Sequence, residues 1–76
     1  MVEKQMTVAS IRSENPTADF ITLCFLESAR FYKLSKKSKP VYLQLLKESE
    51  KKQTAVWVTR TDEKSDEIIK VRALLK

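Results

Sequence analysis

The sequence contains no glycine, and this absence limits both the turns that the chain can make and the functions that it can perform. Two-residue hairpin turns favour glycine because their central residues need a positive φ. Longer loops, or turns built from Asn, Asp, Ser and Pro, must therefore connect the strands. Glycine-rich phosphate loops and dinucleotide fingerprints are excluded, because in both the backbone must approach the phosphates closely.

The chemistry available for catalysis is narrow, because histidine is absent and Cys24 is the single cysteine. Histidine is the usual general base near neutral pH, and zinc sites need several Cys or His ligands. The acidic stretch 62–67 contains Lys64 and lacks the glycine of an EF-hand, so we interpret it as a solvated hairpin loop. We predict that the protein is not an enzyme and that it uses no metal or other cofactor.

The length of 76 residues fits a single domain spanning 1–76. A domain of this size is marginally stable unless disulfides, metals or oligomerisation support it. Because the first two are excluded, we expect a homo-oligomer. The N-terminal residues do not resemble a signal peptide, no apolar run reaches membrane-spanning length, and a free cysteine fits a reducing compartment. We therefore expect a cytoplasmic protein with no membrane partner.

Hydrophobic periodicity and turn residues predict five strands and one helix. A turn at 14–19 follows the first strand, because Asn15-Pro16 favours turn initiation. The strands are expected over 6–12, 20–26, 29–34, 54–60 and 67–74, and the helix over 40–52.

The second strand is apolar on both faces, which is typical of a strand that is covered on both sides. In a small domain, the second cover would be another subunit. One face is predicted to carry Phe20, Cys24 and Leu26, and the other Ile21, Leu23 and Phe25.

The helix and the last strand each present one apolar face. Pro40 fits the first helical turn, Ser38 is a suitable N-cap, and Gln53 must end the helix without a glycine. The apolar helix stripe consists of Tyr42, Leu45, Leu46 and Ser49. In the last strand Ile69, Val71 and Ala73 are predicted to face inward, and Lys70 and Arg72 outward.

The order β-β-β-α-β-β resembles the OB-fold, a five-stranded Greek-key barrel with a helix between its third and fourth strands. We therefore expect a mainly β, OB-like barrel with one helix. Many OB-folds carry a glycine or a bulge in a bent first strand, and we expect this chain to lack both. The segment from the helix Tyr42…Leu45-Leu46 through the strand Ala55-Val56-Trp57-Val58 also loosely resembles the B-subunits of bacterial AB-type toxins. That resemblance implies a ring-like assembly that binds glycans.

The positive charge of the chain is concentrated in its middle. The formal net charge is +5, whereas residues 30–53 alone carry eight basic and two acidic side chains, a net +6. Basic grooves with aromatic platforms are typical of proteins that bind single-stranded nucleic acid. The candidate nucleic-acid-binding residues are Arg30, Tyr32, Lys33, Lys36, Lys37, Lys39, Trp57, Arg60, Lys70 and Arg72.

Each candidate feature also has a purely structural interpretation. A short lysine run is common on solvated loops. Adjacent strand residues face opposite ways, so either Phe31 or Tyr32 must fill the core. Trp57 could equally pack at a subunit interface, where tryptophan is enriched. The sequence therefore favours a single-stranded nucleic-acid-binding module. The alternative is an oligomeric structural unit, or one that binds protein or glycan.

Overall fold

The computed structural model describes residues 1–12 and 17–74, and it consists of five strands and one helix. The predicted mainly β character and the order β-β-β-α-β-β are confirmed. Residues 14–16 of the predicted turn lie outside the described residues. The elements are β1 (Val2–Arg12), β2 (Phe20–Phe25), β3 (Phe31–Ser35), α1 (Pro40–Lys52), β4 (Ala55–Arg60) and β5 (Glu67–Ala73).

Strand β1 is longer than predicted because it pairs with two different neighbours. Its first half, from Val2 to Thr7, runs antiparallel to β4, and its second half, from Val8 to Arg12, runs antiparallel to β2. Strand β2 pairs with β3, β3 makes a short parallel contact with β5, and β5 pairs with β4. The hydrogen-bonded order β1-β2-β3-β5-β4 therefore closes on itself as a barrel.

A β-bulge at Ala9 divides the two halves of β1, so the expectation that this strand lacks a bulge was wrong. Val8 is opposite Phe25 and Ser10 is opposite Cys24, so β1 uses one more residue than β2 at this point. A bulge bends the strand and increases its twist, which lets β1 turn from one neighbour to the other without a glycine. It also reverses the alternation: Val8 is fully buried, and the outward positions beyond the bulge are Ser10 and Arg12.

A second bulge, at Ile69, corrects the predicted faces of β5. Thr59 is opposite Lys70 and Arg60 is opposite Ile68, so Ile69 is the extra residue. Ile68 and Val71 are consequently both buried, whereas Ile69 is 38% exposed. Ala73 is exposed as well, so the predicted inward set was right only for Val71.

The core fills the barrel with the inward residues of all five strands. The predicted division of β2 into two faces is confirmed, since Ile21, Leu23 and Phe25 are buried, whereas Phe20 and Cys24 are half-buried and Leu26 is exposed. Phe25 and Tyr32 pack edge to face, with ring centroids 5.1 Å apart. The main buried cluster consists of Met6, Val8, Leu23, Phe25, Tyr32, Leu34, Leu46, Val56, Val58, Ile68 and Val71.

Helix α1 packs against β1, β4 and β5, and its predicted bounds and stripe are largely confirmed. Leu46 and Ser49 are fully buried, while Tyr42 and Leu45 are half-buried. The prediction of Ser38 as the N-cap was wrong. Lys39 is the N-cap residue, and its side chain makes no capping hydrogen bond. The Ser38 hydroxyl donates instead to the carbonyl of Ser35.

The C-terminus of α1 ends through Gln53, as predicted. Gln53 adopts the left-handed conformation, with φ 55° and ψ 45°, and its N–H donates to the carbonyl of Ser49. This conformation is usually supplied by glycine. Two hydrogen bonds from the Gln53 side-chain amide, to the carbonyls of Val8 and Glu50, hold the residue in place.

Helix side chains also satisfy backbone groups of β1 beside the Ala9 bulge. The buried Ser49 hydroxyl accepts a hydrogen bond from the Val8 N–H at 3.0 Å and donates to the Thr54 carbonyl. The Glu50 carboxylate accepts from the Ile11 N–H at 3.2 Å. The helix therefore supplies the partners that the interrupted ladder cannot.

We expect Ser49→Ala to lower the free energy of unfolding by about 1–3 kcal/mol, because it leaves the buried Val8 N–H and Thr54 carbonyl without their partner. Urea denaturation followed by circular dichroism measures the change. The exposed neighbour substitution Glu48→Ala is the control and should stay within about 0.5 kcal/mol of the parent protein. Equal stability of the two variants would show that the helix does not support the bulge.

Candidate nucleic-acid interface

The outer surface of β1, β2 and β3 brings two phenylalanines and two cations together. Arg12, Thr22 and Lys33 are aligned across the three strands, because Arg12 is opposite Thr22 and Thr22 is opposite Lys33. On one side of this row, Phe31 lies opposite Cys24; on the other, Phe20 lies opposite Ser35. We call the set of Arg12, Phe20, Phe31 and Lys33 the aromatic–cation face.

Each cation of the aromatic–cation face lies over one of the rings. The Arg12 guanidinium carbon is 5.7 Å from the centroid of Phe31, and Lys33 Nζ is 5.0 Å from the centroid of Phe20. Both distances fall within the range of cation–π attraction. Phe31 is 54% exposed, Phe20 is half-buried, and both cations are exposed. The face therefore offers apolar ring surface and positive charge side by side.

The predicted lysine run continues from the Phe20 end of this face. Lys36, Lys37 and Lys39 lie in the link between β3 and α1, and all three are exposed. The Lys36 N–H donates to the Asp19 carbonyl at 2.8 Å, which ties the link to the residue immediately before Phe20. Glu67 adjoins Lys33 on β5, so the face is not purely basic.

Two of the predicted binding residues, Tyr32 and Arg60, are buried rather than solvent-facing. Tyr32 is 3% exposed, because Phe31 takes the outward position and the next residue must face the core. Arg60 is 2% exposed at the end of β4. Its Nη1 donates to the carbonyls of Glu63 and Ser65 rather than to solvent.

Arg30 is engaged in the same region as Arg60. Its Nη2 donates to the carbonyls of Glu63 and Ser65, and its Nε is 3.5 Å from the Asp66 carboxylate. Arg30 therefore connects the start of β3 to the loop between β4 and β5. Arg30 and Arg60 thus bind the β4–β5 loop and lie over the ring of Tyr32 rather than over Phe20 or Phe31.

The remaining predicted residues lie on the outer surface of β4 and β5. Trp57 is half-buried, and the Arg72 guanidinium carbon lies 5.1 Å from its ring centroid. Arg72 in turn makes two hydrogen bonds to Glu3, at 2.9 and 3.1 Å. Lys70 is exposed nearby, opposite Thr59. One face of the tryptophan is therefore covered by an arginine that is held by a carboxylate.

Sequence reasoning missed Arg12 and Phe20 and named Phe31 only as a ring whose exposure was open. Period-two alternation placed Phe20 on one face of β2, but only the register aligns it with β3. Arg12 faces this surface because the Ala9 bulge reverses the inward–outward alternation of side chains in β1. No residue type in β1 predicts that bulge.

No protein-family model, curated protein or solved structure matches this chain significantly. In the part of the chain that the structure describes, no helix has the length and apolar character needed to cross a membrane. The same described residues contain no group of three or more His, Cys, Asp or Glu side chains placed to hold a metal ion.

The pair between Glu3 and Arg72 makes stability depend on pH. The hydrogen bonds from Arg72 lower the pKa of Glu3 below its ordinary value of 4.5. A lowered carboxyl pKa contributes stability that is present above the unfolded pKa and is lost as the pH falls through the folded pKa. We therefore expect the parent protein to lose more thermal stability on acidification below pH 4.5 than Glu3→Gln, which cannot titrate at this position.

Thermal unfolding across that pH range measures this difference, and the fluorescence of Trp57, the single tryptophan, reports on the Arg72 contact directly. Lys4→Gln, which breaks the exposed pair with Glu63, is a control that should leave the Trp57 signal unchanged. Identical acid profiles for the parent protein and Glu3→Gln would contradict the expected role of the pair.

Proposed function

We propose that this protein is an OB-like module that binds single-stranded nucleic acid through its aromatic–cation face. The observation that carries the proposal is the pairing of exposed ring surface with a cation at Phe31 and again at Phe20. In OB-folds the surface of the second and third strands is the one that binds oligonucleotides. The strand order and the position of α1 between β3 and β4 support the OB-like assignment.

Binding would use the rings for the bases and the cations for the phosphates. A base that stacks on Phe31 or Phe20 gains roughly 1–3 kcal/mol, whatever its identity, because every base has a π face. The cations that lie over the rings then move to the phosphates, joined by the exposed lysines of the β3–α1 link. Ser35, the partner of Phe20, lies four residue steps beyond Phe31 on β3, which is about 13 Å along the strand. The two rings therefore contact different nucleotides.

The interface supports affinity more than sequence specificity. Phosphate contacts made by lysine and arginine release counterions, so binding should weaken steeply as the salt concentration rises. Stacking on phenylalanine carries no hydrogen-bond readout of base edges. We therefore expect tolerance of sequence, with binding of single strands in preference to duplexes whose bases are already stacked.

Phe31→Ala should weaken binding of a fluorescently labelled oligothymidine by about tenfold at low salt, because it removes one stacking platform. Fluorescence anisotropy measures the dissociation constant. The matched control is Val41→Ala, which removes a comparably exposed apolar side chain from α1, 48% exposed against 54% for Phe31. Lys33→Gln should also weaken binding and reduce its dependence on salt. No binding by the parent protein at low salt, or equal effects of Phe31→Ala and Val41→Ala, would rule out this interface.

Self-association through the same surface is the second candidate. Leu26 is 61% exposed just beyond β2 and, with Phe31 and the half-buried Phe20, makes this side of the barrel apolar as well as basic. Sedimentation equilibrium at high protein concentration tests for an oligomer. If the face is a subunit contact, Leu26→Lys should dissociate it. A monomer across the whole concentration range would exclude the ring-like alternative.

A further inference from the structure

A pocket of about 450 Å³ lies apart from the aromatic–cation face, between β1, the β2–β3 connection and the β4–β5 loop. Two guanidinium groups converge at this pocket. Arg30 Nη2 and Arg60 Nη1 both donate to the carbonyls of Glu63 and Ser65, at distances between 2.7 and 3.3 Å. Because they bind the same two oxygens, the two positive charges are close neighbours.

The ring of Tyr32 lies between these charges and the core. The guanidinium carbons of Arg30 and Arg60 are 5.0 and 5.2 Å from its centroid. Burial alone would raise the pKa of the Tyr32 hydroxyl, but the hydrogen-bonded Ser28 hydroxyl and the two arginines outweigh burial and lower the pKa. The Tyr32 hydroxyl is therefore influenced both by Ser28 and by the charges of the two arginines. We call Arg30, Tyr32 and Arg60 the arginine–tyrosine cluster.

The charge of Arg60 is the unusual element of this cluster. Arg60 is 2% exposed, it makes no ion pair with the described residues, and its Nε has no hydrogen-bond partner among them. A buried charge without an opposite charge is costly, and two like charges side by side add to that cost. Neutral carbonyl oxygens and a π ring offset only part of it.

Two carboxylates, Glu27 and Glu63, also line the pocket, and each already has a partner. Glu27 accepts a hydrogen bond from the Thr7 N–H at 2.8 Å, and Glu63 pairs with Lys4 at 3.3 Å. Asp66 reaches Arg30 alone, at 3.5 Å. The lining of the pocket thus carries three basic side chains, Lys4, Arg30 and Arg60, against these two carboxylates, and it adds the hydroxyls of Ser28 and Tyr32.

We propose that this pocket binds a phosphate group, held by the arginine–tyrosine cluster. Guanidinium groups suit phosphate because their planar N–H donors match its oxygens, and such charge-assisted bonds are about twice as strong as neutral ones. A bound phosphate neutralises the buried charge of Arg60 and reduces the electrostatic repulsion between the two arginines. The pocket is larger than a phosphate group, so it can also hold part of the molecule that carries the phosphate. The site is independent of base stacking, because Phe31 does not line it.

Isothermal titration with inorganic phosphate tests the site directly. We expect saturable binding of one phosphate per chain, weakened about tenfold or more by Arg30→Gln and by Arg60→Lys. Lys70→Ala, which removes an exposed lysine of β5 outside the pocket, is the control and should bind phosphate like the parent protein. Absence of saturable binding, or an equal loss in Lys70→Ala, overturns the proposal.

Arg60 also supports the fold, so a readout on the folded parent protein is needed. The Nε–Hε resonance of Arg60 in a ¹⁵N NMR spectrum should shift on phosphate addition and follow the same saturation curve, and Tyr32→Phe should weaken binding without unfolding the chain. An unmoved Arg60 resonance at saturating phosphate would overturn the proposal.

The source of the phosphate is resolved by comparing labelled oligonucleotides with and without a terminal phosphate. Tighter binding of the phosphorylated strand, abolished by Arg30→Gln, identifies a strand end, whereas equal binding identifies a free phosphate compound. Phe31→Ala should leave the phosphate titration unchanged, so failure of the aromatic–cation face and failure of this pocket give different results.

Discussion

The hydrogen bonds between helix α1 and the bulged backbone of β1 are the interactions on which the rest of the structure depends. One strand serves both halves of the barrel, with β4 beside its first half and β2 beside its second. The Ala9 bulge makes this double pairing possible by bending the strand, but it interrupts the ladder. Ser49, Glu50 and Gln53 supply the missing partners from the helix. The same bulge turns Arg12 outward, where it meets Phe31. The Ala9 bulge thus underlies both the closure of the barrel and the position of Arg12 in the candidate interface.

The absence of glycine explains where the chain departs from regular geometry. Gln53 takes the left-handed position that glycine would normally occupy at the end of the helix, held there by its own amide. In the β4–β5 loop, the Asp62 carboxylate accepts hydrogen bonds from the N–H groups of Lys64 and Ser65, both at 2.9 Å. This side-chain-closed turn replaces a glycine turn. The loop carbonyls that it presents are the ones that Arg30 and Arg60 bind.

The sequence predicted the elements well and their alignment poorly. The bounds of α1 follow from Pro40 and the apolar stripe through Leu46, signals that lie within one segment. The faces of β5 were wrong because the Ile69 bulge is set by pairing with β4. Of the candidate site, Lys33 and the lysine run were predicted from charge and lie at the surface. Arg12 and Phe20 needed the strand register, which no local pattern encodes. The burial of Arg60 depends on the loop that closes over it, which is also non-local.

Amide chemical-shift mapping with a short oligothymidine at low salt is the sharpest test of single-strand binding across β2 and β3. The largest perturbations should fall on the residues of the aromatic–cation face, Arg12, Phe20, Phe31 and Lys33, and extend into the lysine link at 36–39. Perturbations centred instead on Trp57 and Arg72, or spread evenly over all exposed lysines, would show that the strand does not bind there.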